Sequence, residues 1–395
     1  MRIFCLASLL LCASCHAQLS DNVIRIGYIT DLSGIYADTE GPGGVQAIRM
    51  AIADAQFLFH GPKIELLVAN HQNKADVAAE KMRQWLSRDG VDMIIGGSNS
   101  AANLAMAHIA RDFRKPFISV GAGTSRLTNE ECSPYTIHYA YDTIALAKVT
   151  GKLVVAHGGL TWYFVTADYA FGAALQTDTS KVVTAAGGQV LGAVRHPIAA
   201  TDFSSFVLQA KSSKAQVLAL ANAGGDAINA IKAANEFGVS KSMRVVGMLM
   251  SLSDIHTLTP AVAQGMYLTD SWYWDQNNET RQFSKRFFDV MKHMPTSLQA
   301  ADYSAAFQYL KAVAGIGTDD AQKVLARMRS SPLNDMYTTN GSIRPDGRMV
   351  HDMYLMKVKS PQDVRYPWDY LTIERTIPGK QAFAIKAESK CSLWK

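Results

Sequence analysis

The chain has 395 residues, which is too long for one ordinary hydrophobic core and suits two domains or lobes. It is 48% hydrophobic and 18% charged, a balance typical of folded globular proteins that excludes a disordered or fibrous chain. The formal net charge is only +5 and its basic residues are spread along the chain, so the basic surface of a nucleic-acid-binding protein is missing. No nucleic-acid partner is therefore predicted.

The first seventeen residues have the pattern of an export signal. A positive start at Met1-Arg2 is followed by an apolar run over 3–13 and by small residues up to Ala17. The run is too short for a lasting membrane anchor, so we expect a signal peptide over 1–17 that is removed after Ala17. A buried N-terminal helix is a less favoured alternative.

A lipid anchor on Cys15 also remains open as a less favoured alternative. It is disfavoured because Cys12 stands where an aliphatic residue is expected before a lipidated cysteine. No later stretch has eighteen uninterrupted apolar residues, so the mature chain is expected to be soluble.

Removal of the signal leaves two cysteines, Cys132 and Cys391, in an oxidising compartment. One disulfide between them is therefore predicted. Neither belongs to a Cys-x-x-Cys pair or has histidines at metal-ligand spacing, so a structural bond is expected and no metal site is predicted.

The first part of the mature chain alternates predicted strands and helices. Each predicted strand is a short apolar run, and each helix has apolar residues at helical spacing. The predicted strands cover 23–29, 63–69, 93–95 and 116–120, and the predicted helices begin after Gly44, cover 75–88 and follow Ser100.

The same rhythm restarts after residue 142. Strands are predicted at 161–165, 189–194, 217–220, 245–246 and 266–269, with a mostly helical stretch over 279–330 and a last strand over 352–358. Continuous apolar strands that alternate with helices favour parallel sheets covered on both faces. The predicted fold class is α/β, in two tightly connected units without a linker.

Four loops after predicted strands are rich in small and hydroxyl-bearing residues, namely 33–44, 96–100, 121–125 and 167–172. Ligands of such sheets bind at the carboxyl ends of the strands, where hydroxyls and helix-start N–H groups suit a carboxylate. Gly, Ser and Thr are also ordinary helix caps, so the sequence leaves a structural interpretation of each loop open.

Common enzyme signatures are missing. The sequence has no Gly-x-Ser-x-Gly, no phosphate-binding Gly-x-x-x-x-Gly-Lys-Ser/Thr and no His-Glu-x-x-His motif. The acidic residues Asp31, Asp38 and Glu40 are interpreted as turn residues rather than as an acid–base pair. No catalytic residue and no cofactor is predicted.

A series of motifs, in order along the mature chain, resembles the periplasmic leucine/isoleucine/valine-binding protein family. Members of this family are the receptors of branched-chain amino-acid ABC importers and have the type I periplasmic binding protein fold. The motifs are IRIG at 24–27, DLSG at 31–34, YAD at 36–38, GPG at 41–43, DGVDMI at 89–94, AGTSRLT at 122–128, TADYAFG at 166–172, DFSS at 202–205 and GSIRPDGR at 341–348.

The resemblance implies two Rossmann-like lobes joined by three hinge crossings, near 141–142, 269–271 and 351–354. Lobe 1 would comprise 18–141 and 272–351, and lobe 2 would comprise 142–271 and 352–395. Closure of the lobes on a ligand would give the state that the permease subunits of an ABC transporter recognise. A monomer in the periplasm is expected.

The resemblance also implies a set of ligand-binding residues. The ligand carboxylate would be held by Ser100 after the third strand and by Ala122 and Thr124 after the fourth. Phe171, with Tyr169 beside it, would form an aromatic lid, and Tyr36 would add a wall.

Two positions depart from the family pattern. Leu249 stands where the family has the acidic residue that pairs with an α-ammonium group, and Ala223 stands at a family tyrosine. An ammonium group buried without a carboxylate is strongly disfavoured. The expected ligand is therefore a small carboxylate with an apolar or aromatic body rather than a plain branched-chain amino acid.

The sequence thus predicts a non-enzymatic solute-binding protein that delivers a carboxylate (an amino acid, an aromatic or an aliphatic acid) to an ABC importer. Two alternatives remain open. One is a sensory protein that reports its ligand to a membrane partner, and the other is an exported α/β enzyme.

Overall fold

A computed structural model of the chain describes residues 19–59 and 61–395. The predicted signal peptide over 1–17 and its Cys15 lie outside the described residues, so they remain predictions.

The strands, in chain order, are β1 (Val23–Thr30), β2 (Lys63–Asn70), β3 (Met93–Gly96), β4 (Phe117–Ser119), β5 (Thr136–His138), β6 (Thr161–Ala167), β7 (Gln189–His196), β8 (Val217–Ala221), β9 (Arg244–Gly247), β10 (Tyr267–Asp270), β11 (Ser342–Ile343), β12 (Met349–Val350), β13 (Met353–Val358) and β14 (Leu371–Ile377).

The α-helices are α1 (Gly41–Ala55), α2 (Ala75–Ser87), α3 (Ser100–Phe113), α4 (Thr143–Leu146), α5 (Lys152–Ala156), α6 (Ala170–Ala185), α7 (Ser204–Ser212), α8 (Gly224–Glu236), α9 (Leu252–Leu258), α10 (Pro260–Ala263), α11 (Asn278–Met291), α12 (Ser297–Ile316), α13 (Ala321–Ser330) and α14 (Gly379–Ala382). A π-helical turn, Ala147–Gly151, joins α4 to α5.

The first sheet has the strand order β2-β1-β3-β4-β5, and all its pairs are parallel. Its central strand β3 is apolar along its whole length because helices cover both faces of the sheet. In β3 every residue is buried, and in β1 the last five residues are buried. The predicted parallel sheet of the first unit is therefore confirmed.

The second sheet has the order β7-β6-β8-β9 and is also parallel. Its strand β8 is buried throughout, and α6, α7 and α8 pack on the sheet. Together the two sheets confirm the predicted α/β fold class.

The mostly helical stretch predicted over 279–330 is confirmed as α11, α12 and α13. The longest of these helices, α12, packs on α1 and therefore returns the chain to the first sheet. Small buried residues, Ala300, Ala301, Ala305 and Ala306, lie along α12 and allow this close packing.

A third sheet, β10-β13-β14, is antiparallel and was not predicted. The expectation that the strand at 352–358 is the last one is wrong, because β14 follows it. In β14 most side chains are partly or fully exposed, so the sequence lacks the continuous apolar run that marked the other strands.

The disulfide Cys132–Cys391 is present, with an S–S distance of 2.07 Å. It fixes the C-terminal segment to the loop that precedes β5. Within 19–59 and 61–395, no helix is long and apolar enough to cross a membrane.

Candidate ligand-binding cleft

A cleft lies where the carboxyl ends of the two parallel sheets face each other. The first sheet contributes the loops that follow β1, β3 and β4, and the second contributes those that follow β6, β8 and β9. The lining residues are Tyr36, Thr39, Ser98, Asn99, Ser100, Gly121, Tyr141, Tyr169, Phe171, Ala223, Gly224, Leu249, Met250, Ser251, Asp254, Asp270, Ser297 and Leu298.

One pole of the cleft consists of hydroxyl groups at helix N-termini. Ser98 and Ser100 lie at the start of α3, and Ser297 is the first residue of α12. The Asn99 side chain caps α3 by accepting the N–H of Ala102 at 3.1 Å. Helix N-termini carry partial positive charge and free N–H groups, so this pole favours an anion.

The Ser100 hydroxyl already forms one hydrogen bond within the protein. Its oxygen accepts the main-chain N–H of Thr124 at 3.2 Å. Because the oxygen is used as an acceptor there, the hydroxyl proton can be donated to a group in the cleft. Among the described residues that line the cleft there is no Lys, Arg or His, so an anion would be held by neutral donors.

The opposite wall is aromatic. Tyr169 and Phe171 lie at the start of α6 with ring centroids 6.1 Å apart, and both Phe171 and Tyr36 are buried. The hydroxyl oxygens of Tyr36 and Tyr169 are 2.5 Å apart, so the two side chains form a hydrogen bond across the cleft. Leu249, Met250 and Leu298 add apolar surface.

The loop after β1 also touches the second unit through main-chain atoms. The N–H of Gly225 donates to the carbonyl of Ile35 at 3.2 Å. At Gly224, φ is +57° and a Cβ atom would lie 2.4 Å from that carbonyl oxygen, so only glycine permits this approach. The two sides of the cleft are thus in direct contact at this edge.

Two buried carboxyl groups line the cleft, Asp254 and Asp270, and sequence reasoning missed both. Asp254 accepts the N–H of Ser251 at 2.8 Å in the capping box of α9, and burial raises its pKa to about 6. Asp270 accepts the N–H of Ser271 at 2.7 Å, and burial raises its pKa to about 7. Asp270 is therefore partly protonated near neutral pH, whereas Asp254 is mostly ionised.

Five residues predicted for the site line this cleft: Tyr36, Ser100, Tyr169, Phe171 and Leu249. Ala122 and Thr124 lie next to it but outside the lining. The carbonyl of Ala122 accepts a hydrogen bond from His138, and Thr124 contacts Ser100. Direct contact of Ala122 and Thr124 with a ligand stays a prediction, as do the ligand-binding roles of the other five.

Other lining residues have sequence signals that could have identified them. Ser98 belongs to the same small-residue loop as Ser100. Ser297 follows Thr296, whose capping box with Gln299 has the Thr-x-x-Gln pattern of a helix start. Asp254 resembles an ordinary capping residue in sequence, so its position in the cleft gave no signal.

The turn role predicted for Asp31 is confirmed, because its carboxylate accepts the N–H groups of Gly34 at 2.7 Å and Tyr36 at 3.1 Å. The same interpretation of Glu40 is incomplete. Its side chain is fully buried, and the Ser98 hydroxyl lies 2.5 Å from its Oε2 atom. Asp31 is equally buried, but its carboxylate is paired with several donors, whereas Glu40 Oε1 has no partner among the described residues, so the burial of Glu40 needs a separate explanation.

Comparison with known proteins gives consistent results. Residues 23–363 match a family model described as periplasmic binding protein. A crystal structure of a periplasmic binding protein from Burkholderia mallei is 55% identical, with a TM-score of 0.93, and covers 95% of this chain and 100% of that one.

A branched-chain amino acid ABC transporter periplasmic ligand-binding protein from Burkholderia xenovorans is 39% identical, with a TM-score of 0.82, over 94% of this chain and 100% of that one. A solute-binding protein of an ABC transporter from R. palustris, in complex with benzoate, shares the fold at 20% identity and a TM-score of 0.82, over 94% and 100%.

A Leu/Ile/Val-binding protein homolog from Brucella melitensis is 26% identical over 228 residues, which are 56% of this chain. The matched residues are also 56% of the length of that relative, so the chain spans little more than half the length of the curated relatives that it matches.

Proposed function

The chain belongs to the periplasmic binding protein family, and from that premise we propose that it captures a small carboxylate and delivers it to an ABC importer. The observation that carries this proposal is the pairing, in one cleft, of a hydroxyl-rich pole at two helix N-termini with an aromatic and apolar wall. A carboxylate with an apolar or aromatic body fits both halves.

The carboxylate end of the ligand lies at Ser98, Ser100 and the N-terminus of α12, where the Ser297 hydroxyl already donates to Asp270. The Ser98 and Ser100 hydroxyls and main-chain N–H groups of α3 and α12 replace its hydration shell, and the helix dipoles favour its charge. Ala122 and Thr124 support this pole, Thr124 through its hydrogen bond to Ser100.

The body of the ligand packs against Tyr36, Tyr169, Phe171 and Leu249. Contacts from both sheets to one ligand stabilise the closed arrangement of the lobes, which is what a permease distinguishes from the open one. The fold accommodates aromatic acids, since the R. palustris protein of the same fold holds benzoate.

A second candidate ligand is an amino acid whose ammonium group faces Asp254 and Asp270. The presence of these two carboxyl groups in the cleft favours it. Against it, Leu249 stands where the family has the acidic residue that pairs with the ammonium group.

The location, oligomeric state and partners that we propose are those expected for the family. We propose that the chain is exported to the periplasm after cleavage at Ala17, acts as a monomer and meets ABC permease subunits. Lobe 1 comprises 18–141 and 272–351, and lobe 2 comprises 142–271 and 352–395. The packing of α12 on α1 supports the return of the chain to the first lobe.

Isothermal titration and thermal shift with benzoate, phenylacetate, 3-methylbutanoate, hexanoate, L-leucine and L-valine test the ligand class. We expect at least one of the four acids without an ammonium group to bind and raise the melting temperature. Binding of L-leucine or L-valine alone contradicts the proposal. Asp254→Asn separates the candidates, because it weakens an amino acid but spares a simple carboxylate.

The role is tested in the source organism by deleting the gene. Loss of uptake of the bound carboxylate supports delivery to an importer, whereas unchanged uptake with a lost transcriptional response supports the sensory alternative. Mass spectrometry of the ligand after incubation tests the enzyme alternative, which predicts its conversion.

A further inference from the structure

Glu40, the residue before α1, places a carboxyl group directly behind the anion pole of the cleft. The side chain is fully buried, and its Oε2 atom lies 2.5 Å from the Oγ atom of Ser98, which lines the cleft. Its other oxygen, Oε1, has no hydrogen-bond partner among the described residues. A buried carboxyl group with so few partners is costly in its charged form.

The neighbouring loops are shaped to admit this group. A Cβ atom at Gly121 would lie 2.1 Å from Glu40 Oε2, and one at Gly97 would lie 3.0 Å from it. Side chains at these two positions would therefore displace the carboxyl group from Ser98. The approach of Glu40 to the cleft depends on two glycines at the ends of β3 and β4.

The surroundings of Glu40 oppose a negative charge. The titratable groups that face it from the neighbouring elements are Tyr28 and Asp31 of the β1 segment, Asp302 of α12 and Tyr141 after β5. Behind Ser98, His71 contacts the Ser98 carbonyl, and burial lowers its pKa so that it stays neutral. Within the described chain, Glu40 forms no ion pair.

These surroundings favour the protonated forms of Glu40 and Asp302. Burial raises the pKa of Glu40 to about 8, although the hydrogen bonds from Ser98 lower it. Burial and the nearby Glu40 also raise the pKa of Asp302 well above its usual range, and Asp302 accepts a hydrogen bond from Tyr28 at 2.9 Å. At neutral pH, Glu40 is therefore largely in its acid form.

The direction of the bond between Glu40 and Ser98 then decides what Ser98 offers to a ligand. An ionised Glu40 can only accept hydrogen bonds, so Ser98 must donate its single hydroxyl proton to Glu40. The Ser98 hydroxyl can then only accept a hydrogen bond from a group in the cleft. A protonated Glu40 donates to Ser98 Oγ, which leaves the Ser98 proton free to be donated to an anion.

We propose that Glu40 is a positioning residue for anion capture: in its acid form it donates to Ser98 and thereby turns the Ser98 hydroxyl into a donor for the ligand carboxylate. This inference rests on the proposed function of the cleft. It makes binding of a carboxylate proton-linked, because loss of the Glu40 proton both reverses the Ser98 hydroxyl and places a negative charge behind the bound anion.

The proposal predicts that the affinity for a carboxylate decreases as the pH rises. Affinity is greatest below pH 8 and falls as the pH rises through the pKa of Glu40, approaching about tenfold per pH unit for one linked proton. Between pH 7 and pH 9.5 the dissociation constant of the wild-type protein is expected to rise by up to about 30-fold.

The test uses benzoate, phenylacetate, 3-methylbutanoate and hexanoate, whose carboxyl groups are fully ionised over this range. Their dissociation constants are measured from pH 6.5 to 9.5 for wild-type protein, Glu40→Gln and, as a matched control, Glu80→Gln on the exposed face of α2. The amide of Glu40→Gln donates at every pH, so its affinity is expected to be flat while the control follows the wild type.

A Glu40→Gln profile with the wild-type slope overturns the proposal and leaves the proposed function standing. Failure of all four acids to bind the wild-type protein at pH 7 contradicts the proposed function, and this inference with it.

A second readout needs no ligand. Because the pKa of Glu40 is raised in the folded protein, its contribution to stability is present at low pH and is lost as the pH rises toward and through 8. The melting temperature of wild-type protein relative to Glu40→Gln is expected to fall from pH 6 to about 8 and then to level off. A constant difference overturns the proposal.

Discussion

The Ser100 hydroxyl gives a direct test of the anion pole. Its oxygen accepts the Thr124 N–H at 3.2 Å, so its proton remains for the ligand. Ser100→Ala removes one hydrogen bond to a charged group, worth about 1.5–3 kcal/mol. We expect the affinity for a monocarboxylate to fall by about 10- to 100-fold in isothermal titration.

Ser87→Ala is the matched control for Ser100→Ala, because Ser87 is exposed at the end of α2 and donates to the carbonyl of Arg83. Its affinity should equal that of the wild type. An unchanged affinity of Ser100→Ala would exclude Ser100 from the contact with the carboxylate.

Residues of the cleft differ in how well the sequence marks them. Ser100 and Phe171 stand in loops at strand ends, where a family pattern can be matched position by position. Asp270 and Glu40 give no such signal, because an isolated acidic residue usually indicates a turn or a solvent-exposed position. Only the packing of α12 and two glycine-containing loops around Glu40 distinguishes it from Asp31.

Arg348, in the turn before β12, ties two segments together. Its side chain is fully buried and donates to the carbonyls of Tyr139, Tyr141 and Met349, while Asp142 lies 3.7 Å away. Burial lowers the pKa of Arg348 to about 10, which leaves it charged at neutral pH. The guanidinium group therefore joins the segment after β5 to β12.

Arg348→Met is expected to lower the free energy of unfolding by about 3–5 kcal/mol, because it leaves Asp142 and the carbonyls without their buried partner. Urea denaturation measures the change. Arg83→Met, on an exposed position of α2, should stay within about 0.5 kcal/mol of the wild type. Equal effects of the two substitutions would contradict a structural role for Arg348.

Among the elements, buried parallel strands were predictable and marginal strands were not. β3 and β8 are apolar runs that only a doubly covered sheet accommodates. β5 has three residues, and β14 exposes much of its length, so neither has a hydrophobic pattern of its own. Their pairing depends on neighbours that are distant in sequence, which periodicity does not reveal.

For the whole molecule, the Cys132–Cys391 bond closes a loop over a sequence separation of 259 residues. Cross-links over long loops restrict the unfolded chain most, so the double variant Cys132→Ser/Cys391→Ser should lose about 5 kcal/mol of unfolding free energy. Urea denaturation measures this loss. Dithiothreitol should destabilise the wild type to a similar extent and leave the variant unchanged, and equal sensitivity of both proteins would contradict this account.

The overall arrangement of two α/β units was predictable because each strand–helix alternation repeats along the chain. Which loops meet in the cleft was predictable only through family resemblance, since apolar periodicity specifies the buried face of an element but not the partner that it faces.

The same bond also sets an order of events in biosynthesis. Cys132 leaves the ribosome 259 residues before Cys391, an interval of roughly 10–50 s at typical rates of synthesis. During this interval the Cys132 thiol has no partner further along the nascent chain, because residues 133–390 contain no cysteine. The cross-link can therefore form only after the chain has been made as far as Cys391.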